Sequence, residues 1–367
     1  MTLKNKMKRS KKIITTLPLN VPQDQKWIFE RRSVYFFPKL KIAHRKNIFL
    51  SHYGIALKYL LPIKRTLPNS WGFGKPNAGF IFQFYRKALE IYLVCKFGKS
   101  LKAIALDHSK NYLFIYSPWF GYFSWVTESL PRILEVKDRH KELTLILPES
   151  YSKLSFVMKS LELFPELKYE IIPDGIHMKV PRVVIPELKP STYAFDPNTM
   201  QNYRAQMWIY IENMQIDIQT YDKIYVSRKK AKNRKLLNEK EVLELLAEHE
   251  FQEVAFENYS FFEQIYLMKN CKVLTGVHGA GFANIAFMGD DTALIELIKE
   301  YSSYKEERPS YWRLCSALNI DYYIEYCKPE KYGSYDLWVG VNLKADIDKF
   351  AVTLEQIKNK NLFSILS

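Results

Sequence analysis

A glycine-rich turn between two apolar runs constrains the fold of this chain more than any other feature. The run 272–275 predicts a buried strand and the run 293–297 predicts a second one. Three glycines and a histidine fill the turn, ahead of a helix-competent segment at 282–288: Gly276, His278, Gly279 and Gly281. Strand, glycine turn, helix and strand together point free backbone N–H groups at a phosphate. The pattern predicts nucleotide binding; the alternative is a plain turn between two core elements.

An acidic residue follows the turn at the position where a nucleotide ribose is commonly bound. Glu296 lies near the end of the second predicted strand, and acidic side chains there accept hydrogen bonds from ribose hydroxyls. The glycines let the backbone turn tightly and approach a ligand where a Cβ atom would clash. We therefore expect Glu296 and the turn to contact the same ligand.

The positive charge of the chain is concentrated at its amino-terminal end. Residues 1–65 hold 16 Lys and Arg against Asp24 and Glu30, whereas the other 302 residues hold 38 basic against 37 acidic residues. We expect residues 1–20 to form a flexible basic tail, and we expect this end to meet an anionic membrane surface. No nucleic-acid-binding module follows the basic stretch, so a nucleic acid partner is not expected.

Apolar runs and cysteines indicate a cytoplasmic protein, with the amino-terminal region peripheral at the inner face of the membrane. The longest apolar runs are interrupted by charges, so no transmembrane helix is expected, and no apolar stretch typical of a secretory signal follows the basic amino terminus. The four cysteines form no C-x-x-C pair and no zinc-binding spacing with histidine. They are expected to be reduced and mostly buried.

Helical and strand periods alternate along the chain and predict an α/β fold. We expect parallel sheets with helices on both faces and ligands at the carboxyl ends of the strands. A loop at 67–77, an amphipathic helix at 80–97 and a helix at 125–139 are predicted in the first half. The predicted domains are a tail at 1–20, an amino-terminal α/β domain at 21–197, a connecting helix and linker at 198–222, a nucleotide-binding Rossmann-like domain at 223–345 and a carboxyl-terminal helix at 346–367.

Two helix starts and one acidic pair have sequence signatures of caps. Capping boxes are predicted at Asn238 with Glu241 and at Ser260 with Glu263, each pair being three residues apart. Asp346 and Asp348 form a D-x-D, a metal-binding motif in one glycosyltransferase fold, but here they open a predicted helix. We interpret Asp346 as a helix N-cap, and no metal ligand is predicted.

Four motifs in order resemble glycosyltransferase family 61 and together cover about residues 110–325. The first is the VHGAGFANIAFM segment followed by ALIEL, which includes the turn already described. The others are a strand ending in Ser227 and Arg228, an S-x-x-E-Q helix start, and a tryptophan–acid–LPR segment: Ser260, Glu263, Gln264, Trp125, Glu128, Leu130, Pro131 and Arg132. Each motif alone would be weak, and their shared order carries the resemblance.

The resemblance implies a GT-B-like architecture with two Rossmann-like domains facing a cleft. It implies transfer of a sugar from a nucleotide-sugar, with UDP-sugar as the expected donor, by an inverting and metal-independent reaction. The acceptor would be a saccharide or a lipid-linked saccharide in surface polysaccharide biosynthesis, such as a capsular polysaccharide of the bacterial cell envelope. No cofactor is expected beyond the nucleotide-sugar co-substrate.

The expected donor-binding residues cluster around the glycine turn and the loop after an earlier strand. Arg228 and Arg234 lie in a basic loop at a strand's carboxyl end, where cations can stabilise a leaving diphosphate without a metal. A solvated basic loop is the alternative. The remaining expected donor contacts are His278, Gly279, Ala280, Gly281, Asn284 and Glu296.

Catalytic candidates come from both halves of the chain. Glu128 is placed near a helix start, where it could accept a proton from an acceptor hydroxyl, with Arg132 one turn on to orient it. An ion pair at the start of a helix is the structural alternative. Trp125 and Arg132 are expected on the acceptor side, and His278 is the second catalytic candidate. Many family members have histidine where this chain has Ser124, which puts the identity of the base in doubt.

Two other functions fit parts of the sequence. A dinucleotide-dependent oxidoreductase would also use the glycine turn and Glu296, although the turn follows the third predicted strand of its domain rather than the first. A non-catalytic, transferase-like binding protein would fit Ser124 and the basic amino terminus. Thermal stabilisation by a UDP-sugar, by a nicotinamide dinucleotide or by neither would separate the three.

Overall fold

The structure, a computed structural model, divides into two compact units. It describes residues 10–38, 41–51, 54, 56–58, 61–63, 103–116, 121–186, 194–231, 233–300, 310–330 and 341–360. One unit comprises Met1–Lys11 with Phe37–Ala194, and the other comprises Lys12–Phe36 with Phe195–Ser367. The predicted loop at 67–77 and the predicted helix at 80–97 lie outside the described residues.

The amino-terminal segment contributes two strands and a helix. Strand β1 (Ser10–Ile14) pairs with β2 (Val34–Pro38) in a two-stranded sheet, and helix α1 (Lys26–Ser33) lies between them in the chain. We expected a flexible tail over residues 1–20, but the second half of that stretch is bonded to the second unit. Leu19 donates its backbone N–H to Tyr322, and the Asn20 side chain donates to Glu325.

The first unit is built on an eight-stranded mixed sheet. Its strands are β3 (Ile42–Leu50), β4 (Ala56–Lys58), β5 (Leu61–Pro62), β6 (Ala103–Ala105), β7 (Asn111–Leu113), β8 (Leu143–Pro148), β9 (Lys168–Ile172) and β10 (His177–Pro186). Their order is β5-β4-β3-β10-β7-β8-β9, with β6 also paired to β10. The part from β10 to β9 is parallel, and β3, β4 and β5 extend it with antiparallel pairs.

The helix predicted at 125–139 is shorter and irregular. Helix α2 (Tyr122–Ser124) runs into a π-helical turn at Trp125–Ser129, and α3 (Leu130–Leu134) follows. In the π turn Leu130 donates to the carbonyl of Trp125, five residues back. Pro131 has no N–H for an α-helical bond, which favours this local departure. Helices α4 (Glu149–Ser152) and α5 (Ser155–Leu161) complete the described helices here.

The second unit is built on a six-stranded, mainly parallel sheet. Helix α6 (Pro197–Glu212) precedes it and belongs to this unit. The strands are β11 (Lys223–Val226), β12 (Gln252–Val254), β13 (Val273–Val277), β14 (Ala293–Lys299), β15 (Asp321–Pro329) and β16 (Leu343–Lys344). Their order is β12-β11-β13-β14-β15-β16, and only the β15–β16 pair is antiparallel. This order confirms the prediction of a parallel sheet in an α/β fold.

Buried side chains alternate along these strands and show that both faces of the sheet are covered. Val273 and Ile295 belong to one core, which also contains residues of α7 (Glu239–Glu248) and α10 (Ile347–Asn359). Leu274 and Leu294 point to the opposite face and are fully buried as well. A parallel sheet needs apolar side chains on both faces because helices pack on both. Helices α8 (Phe261–Asn270) and α9 (Ser310–Ala317) complete the described α-helices.

The predicted caps have different outcomes. Ser260 and Glu263 form the complete capping box at the start of α8, and Asp346 accepts from the N–H of Lys349 as the N-cap of α10. Asn238 does not cap α7, because its amide exchanges two hydrogen bonds with the backbone of Ala345 instead. That exchange ties the start of α7 to the strand end after β16.

Candidate functional site

Arg228 and Arg234 come together at the carboxyl edge of the parallel sheet in the second unit. Arg228 follows β11 and donates from Nε and Nη2 to the carbonyl oxygens of Arg234 and Asn233, each at 3.1 Å. Arg234 donates from Nη1 to the carbonyl oxygen of His278 at 2.9 Å. Because β11 and β13 are parallel neighbours, the loops after them meet at one edge, as the sequence predicts.

The two guanidinium groups are half-buried cations without a carboxylate in contact. Burial lowers the pKa of both groups, and for Arg228 the positive charge of Arg234 lowers the pKa further. Among the described residues no carboxylate forms an ion pair with either group, and the three hydrogen bonds described above all go to backbone carbonyls. Two desolvated like charges with spare donors have the chemistry to bind an anion with several oxygens.

Gly279 allows Arg228 to reach the turn. A Cβ atom at this position would lie 2.4 Å from Nη1 of Arg228, far inside contact distance. The backbone at Gly279 is extended, with φ of −171°, so the glycine is needed for space and not for an unusual dihedral angle. Gly276, by contrast, has a φ of +154°, and an added Cβ atom there would also meet the Val226 carbonyl oxygen at 3.1 Å.

His278 is held by a chain of hydrogen bonds that reaches into the core. Its Nδ1 atom bonds to Oε1 of Glu296, whose Oε2 accepts from the Tyr322 hydroxyl at 2.6 Å. Glu296 is 2% exposed, whereas the His278 side chain is 31% exposed. Burial, and then the charge of Glu296, raise the pKa of Tyr322 well above its ordinary value, so this hydroxyl stays a donor. This chain of hydrogen bonds orients the imidazole from the core side and leaves its Nε2 side toward the surface.

Glu296 is therefore placed differently from the expected ribose contact. Both of its carboxylate oxygens are engaged inside the protein, one by His278 and one by Tyr322. Its side chain points to the face of the sheet opposite Ile295 and Leu297, which belong to the core on the other side. The structure thus brings Glu296 to His278 and not to the surface of the turn.

Tyr311, on a neighbouring helix, contacts the glycine turn and helps to hold it in place. Its hydroxyl donates to the Gly279 carbonyl oxygen at 2.6 Å, and its ring contacts the rings of His278 and Phe282 edge-on, with centroids 5.3 and 5.5 Å apart. The sequence did not single out Tyr311 or Tyr322. They lie on α9 and β15, and no sequence spacing links them to residues 278–296.

The other predicted donor residues are spread between surface and core. The segment after Gly279 is an eight-residue 3-10 helix, Ala280–Phe287, in place of the expected α-helix. Ala280 is exposed, and Gly281 packs near the Phe256 ring. Asn284 is fully buried and donates to Gln264 at 2.8 Å, while Gln264 donates to the carbonyls of Phe256 and Tyr259. Asn284 and Gln264 thus fix the loop.

The predicted acceptor-side residues lie in the first unit and are largely buried. Trp125 is fully buried, and its indole N–H donates to the Ser160 hydroxyl at 2.9 Å. Glu128 is 7% and Arg132 6% exposed, one helical turn apart. Arg132 donates to the Ile115 carbonyl, and burial lowers its pKa to about 10 against the opposing effect of Glu128. Trp125 is accordingly a core side chain, and Glu128 and Arg132 are buried side chains of opposite charge that interact electrostatically.

One Arg132 nitrogen and one neighbouring hydroxyl are left for further bonding. Nη2 of Arg132 and the hydroxyl of Tyr116 are buried and have no hydrogen-bond partner among the described residues. Tyr116 contacts Tyr151 with ring centroids 6.0 Å apart, and Tyr151 is close enough to raise the pKa of Arg132. Buried donors are normally satisfied, so this cluster has capacity for one more polar group.

Three further observations concern metals, thiols and membranes. Within the described ranges no group of three or more His, Cys, Asp or Glu side chains is arranged to hold a metal ion. The described free cysteines, Cys271, Cys315 and Cys327, are buried. No helix in the described part of the chain is both long enough and apolar enough to span a bilayer.

Comparison with known proteins identifies one family and one relative. Residues 122–295 match the family model described as Glycosyltransferase 61. A stretch of 76 residues is 34% identical to the EGF domain-specific O-linked N-acetylglucosamine transferase of Drosophila melanogaster. That stretch covers 20% of this chain and 14% of the relative, so the chain matches only a small part of that protein.

The family match spans the residues that the structure brings together at the sheet edge. It begins at the helix that carries Glu128 and Arg132, includes both arginines of the basic loop, and ends next to Glu296. The resemblance read from the sequence motifs is thereby confirmed, and residues 122–295 of this chain resemble glycosyltransferase family 61.

Proposed function

We propose that this protein is a glycosyltransferase that moves a sugar from a nucleotide-sugar to a saccharide acceptor. The observation that supports it most is the pair of half-buried arginines, Arg228 and Arg234, which meet beside His278 without a carboxylate in contact. A nucleoside diphosphate offers the several anionic oxygens that such a pair can bind. The family match supports the reaction class, and the resemblance supports a UDP-sugar as donor.

The two arginines would stabilise the leaving diphosphate. As the bond between the anomeric carbon and the diphosphate oxygen breaks, negative charge grows on that oxygen, and two desolvated cations are well suited to bind it. We propose a metal-independent reaction on this ground, with the guanidinium groups supplying the positive charge. Gly279 keeps the space through which Arg228 reaches the turn.

His278 is our proposed general base in an inverting reaction. With its Nδ1–H donated to Glu296, the neutral imidazole has a lone pair on Nε2, which can accept the proton of an acceptor hydroxyl. The acceptor oxygen then bonds to the anomeric carbon while the nucleoside diphosphate leaves. Glu296 and Tyr322 act as positioning residues, because they reach the reaction only through His278.

We propose that the two units are the two domains of a GT-B-like fold and that the first binds the acceptor. Each unit contains a set of neighbouring parallel strands, β10-β7-β8-β9 in the first and β12-β11-β13-β14-β15 in the second. Glu128, buried beside Arg132, is better suited to orienting that group than to being the base. The acceptor, saccharide or lipid-linked, would belong to surface polysaccharide biosynthesis in the cytoplasm, a compartment with which the buried free thiols agree.

The position of Glu296 argues against the dinucleotide-dependent alternative. An acidic residue that binds a cofactor ribose must present its carboxylate to solvent at the sheet edge. Glu296 is 2% exposed, and both of its oxygens are bonded inside the protein. A binding protein without activity would have no need of the oriented imidazole.

A thermal-shift screen of nucleotide-sugars tests the donor site. A UDP-sugar should raise the melting temperature of the full chain, with and without EDTA, and a nicotinamide dinucleotide should not. Arg228→Ala should weaken donor binding about ten- to a hundredfold, because a charge-assisted contact contributes roughly 1.5–3 kcal/mol.

The matched control is Lys229→Ala, which removes the same charge from the same loop. Lys229 is exposed and pairs with Glu253 at 2.8 Å, away from the turn. Its variant should bind the donor like the wild type. Equal weakening of donor binding in both variants would mean that only the total charge of the loop matters. Unchanged donor binding in Arg228→Ala would refute the site. Rescue of binding by manganese after EDTA would refute metal independence.

A further inference from the structure

Exposed apolar side chains are concentrated in the amino-terminal segment of the second unit. Twelve large hydrophobic side chains are exposed in the described part of the chain, and five of them lie within Lys12–Phe36: Ile14, Leu19, Trp27, Val34 and Phe36. The other seven are scattered over about 310 residues, from Ile42 to Val352. Single exposed apolar residues need no explanation, whereas a concentration of this kind marks an interaction surface.

Three of these five side chains lie on one two-stranded sheet. Strand residues alternate in direction, and the inward residues are Ile13, which is 6% exposed, and Tyr35, whose hydroxyl donates to Phe195. Ile14, Val34 and Phe36 are the outward residues, at 67%, 42% and 44% exposure. Lys12, also exposed, lies on the same face as Ile14. The outward face of β1 and β2 is thus apolar with a cation at its end.

The segment is bound firmly to the unit that carries the arginine pair. Thr16 donates to Ser316 at 2.9 Å and accepts from the Trp312 indole, and Asn20 donates to Glu325 at 2.9 Å. The Trp312 ring also meets Phe29 edge-on, with centroids 5.1 Å apart. The exposed face is therefore part of a folded surface rather than of a mobile tail.

Basic residues are concentrated in the same stretch of the sequence. Residues 1–36 hold nine Lys and Arg against Asp24 and Glu30, a net of +7, while the whole chain has +15. Arg31 lies over the exposed ring of Trp27, with its guanidinium carbon 4.9 Å from the ring centroid. Tryptophan, phenylalanine and basic residues together are typical of surfaces that sit in the headgroup region of a bilayer.

We propose that the outward face of β1 and β2, with Trp27 and the basic residues of the same stretch, docks on an anionic lipid bilayer. Charge complementarity favours anionic headgroups, since each Lys or Arg near such a surface adds to the attraction. Nucleic acid would also attract the cations, but it gains nothing from the aliphatic side chains of Ile14 and Val34. This proposal does not rest on transferase activity, and its test needs no substrate.

The test is co-sedimentation of the full chain with vesicles. Phosphatidylcholine vesicles with about one-third phosphatidylglycerol should bind the protein at low salt, and pure phosphatidylcholine should bind it weakly. Binding should fall as salt rises toward 1 M, where the Debye length is ~3 Å. The triple variant Ile14→Ser, Val34→Ser, Phe36→Ser should bind about tenfold less, because three apolar side chains no longer enter the headgroup region.

A control variant carries Ile209→Ser, Leu237→Ser and Val352→Ser, which remove three exposed apolar residues elsewhere on the same unit. It should bind vesicles like the wild type, and melting curves of both variants would show that the fold is kept. Equal loss in the two triple variants, or binding that ignores lipid charge and salt, would overturn the proposal. So would retention on single-stranded RNA under conditions where the vesicles do not bind.

Discussion

At residue 279 the backbone passes so close to Arg228 that only a glycine leaves room for its guanidinium. The extended φ of −171° is available to any residue, so the requirement is purely steric. This distinguishes Gly279 from Gly276, where a φ of +154° itself favours glycine. The same loop therefore uses two glycines for two different physical reasons.

Replacing Gly279 by alanine should displace Arg228 and weaken donor binding while the fold persists. The added Cβ would lie 2.4 Å from Nη1, and the flexible end of the arginine side chain is what must move. We expect about a tenfold loss of affinity for the nucleotide-sugar, measured by thermal shift or calorimetry.

Gly289→Ala is the matched control, since its Cβ would lie 3.8 Å from the nearest atom, of Thr292. It should leave donor affinity unchanged. Normal donor binding by Gly279→Ala would show that the position of Arg228 beside the turn has no part in holding the ligand.

His278 and Glu296 show a second effect at the residue scale, because the buried carboxylate of Glu296 orients the half-exposed imidazole of His278. Glu296 has the position expected of a ribose ligand in the sequence, but the side chain turns to Tyr322 and His278. A buried carboxylate must be bonded, and the two donors beneath the turn meet that need. Its contribution to chemistry passes through the imidazole.

At the scale of elements, helix α8 supports the turn from behind. The capping box of Ser260 and Glu263 satisfies the first N–H groups of this helix, and Gln264 in the same turn bonds to Asn284. The start of α8 therefore holds the 3-10 helix that follows Gly279. A family motif that could have meant substrate contact has a structural role in the described contacts.

Ser260→Ala should lower the free energy of unfolding by about 1 kcal/mol, because an N-cap hydroxyl is lost from the helix start. Urea unfolding of wild type and variant would measure the difference. Ser260→Asp is the control that keeps an accepting oxygen at the N-cap, and it should retain most of the stability. Equal destabilisation by both replacements would mean that the cap is not the cause.

At the scale of the whole molecule, the amino-terminal segment is joined to the second unit through a buried acid. Glu325 on β15 accepts from Asn20 at 2.9 Å and from the Thr353 hydroxyl on α10 at 2.5 Å. Burial raises the pKa of Glu325 to about 7, against the opposing effect of these two hydrogen bonds. The folded protein therefore prefers the protonated acid over a range where the unfolded chain has already lost the proton.

This pKa makes stability fall as pH rises from about 4.5 to about 7, because the unfolded chain binds fewer protons than the folded one there. Above that range the cost is constant, at about 3 kcal/mol. Glu325→Gln keeps an accepting oxygen for Asn20 and Thr353 but carries no charge. We expect it to be more stable than the wild type by a few kcal/mol at pH 8 and equally stable near pH 4.5.

Unfolding at several pH values would measure the difference between the two proteins. Other titrating groups cancel in that difference, so its pH dependence reports Glu325. A stability difference that stays constant from pH 4.5 to 8 would contradict the raised pKa. A variant less stable at pH 8 would show that the hydrogen bonds need the acid itself.

Part of the site could be predicted from the sequence because local patterns determine it. The β-branched runs around 272–297 predict neighbouring parallel strands, and a basic loop after a parallel strand has to lie at the same sheet edge as the glycine turn. Arg228, Arg234 and His278 could therefore be placed together before any coordinates. The capping box of α8 is local as well, since its two residues are three apart.

Only the tertiary structure decided the contacts between distant segments and the direction in which a side chain points. Sequence spacing does not show that Tyr311 and Tyr322 meet the turn, that Asn238 bonds to Ala345, or that residues 19–20 join β15. Nor does it show that Trp125 is core or that Glu296 faces inward. The sequence determined the elements and their order, because periodicity and turn chemistry act locally; burial and partners arose only when the sheets and helices packed.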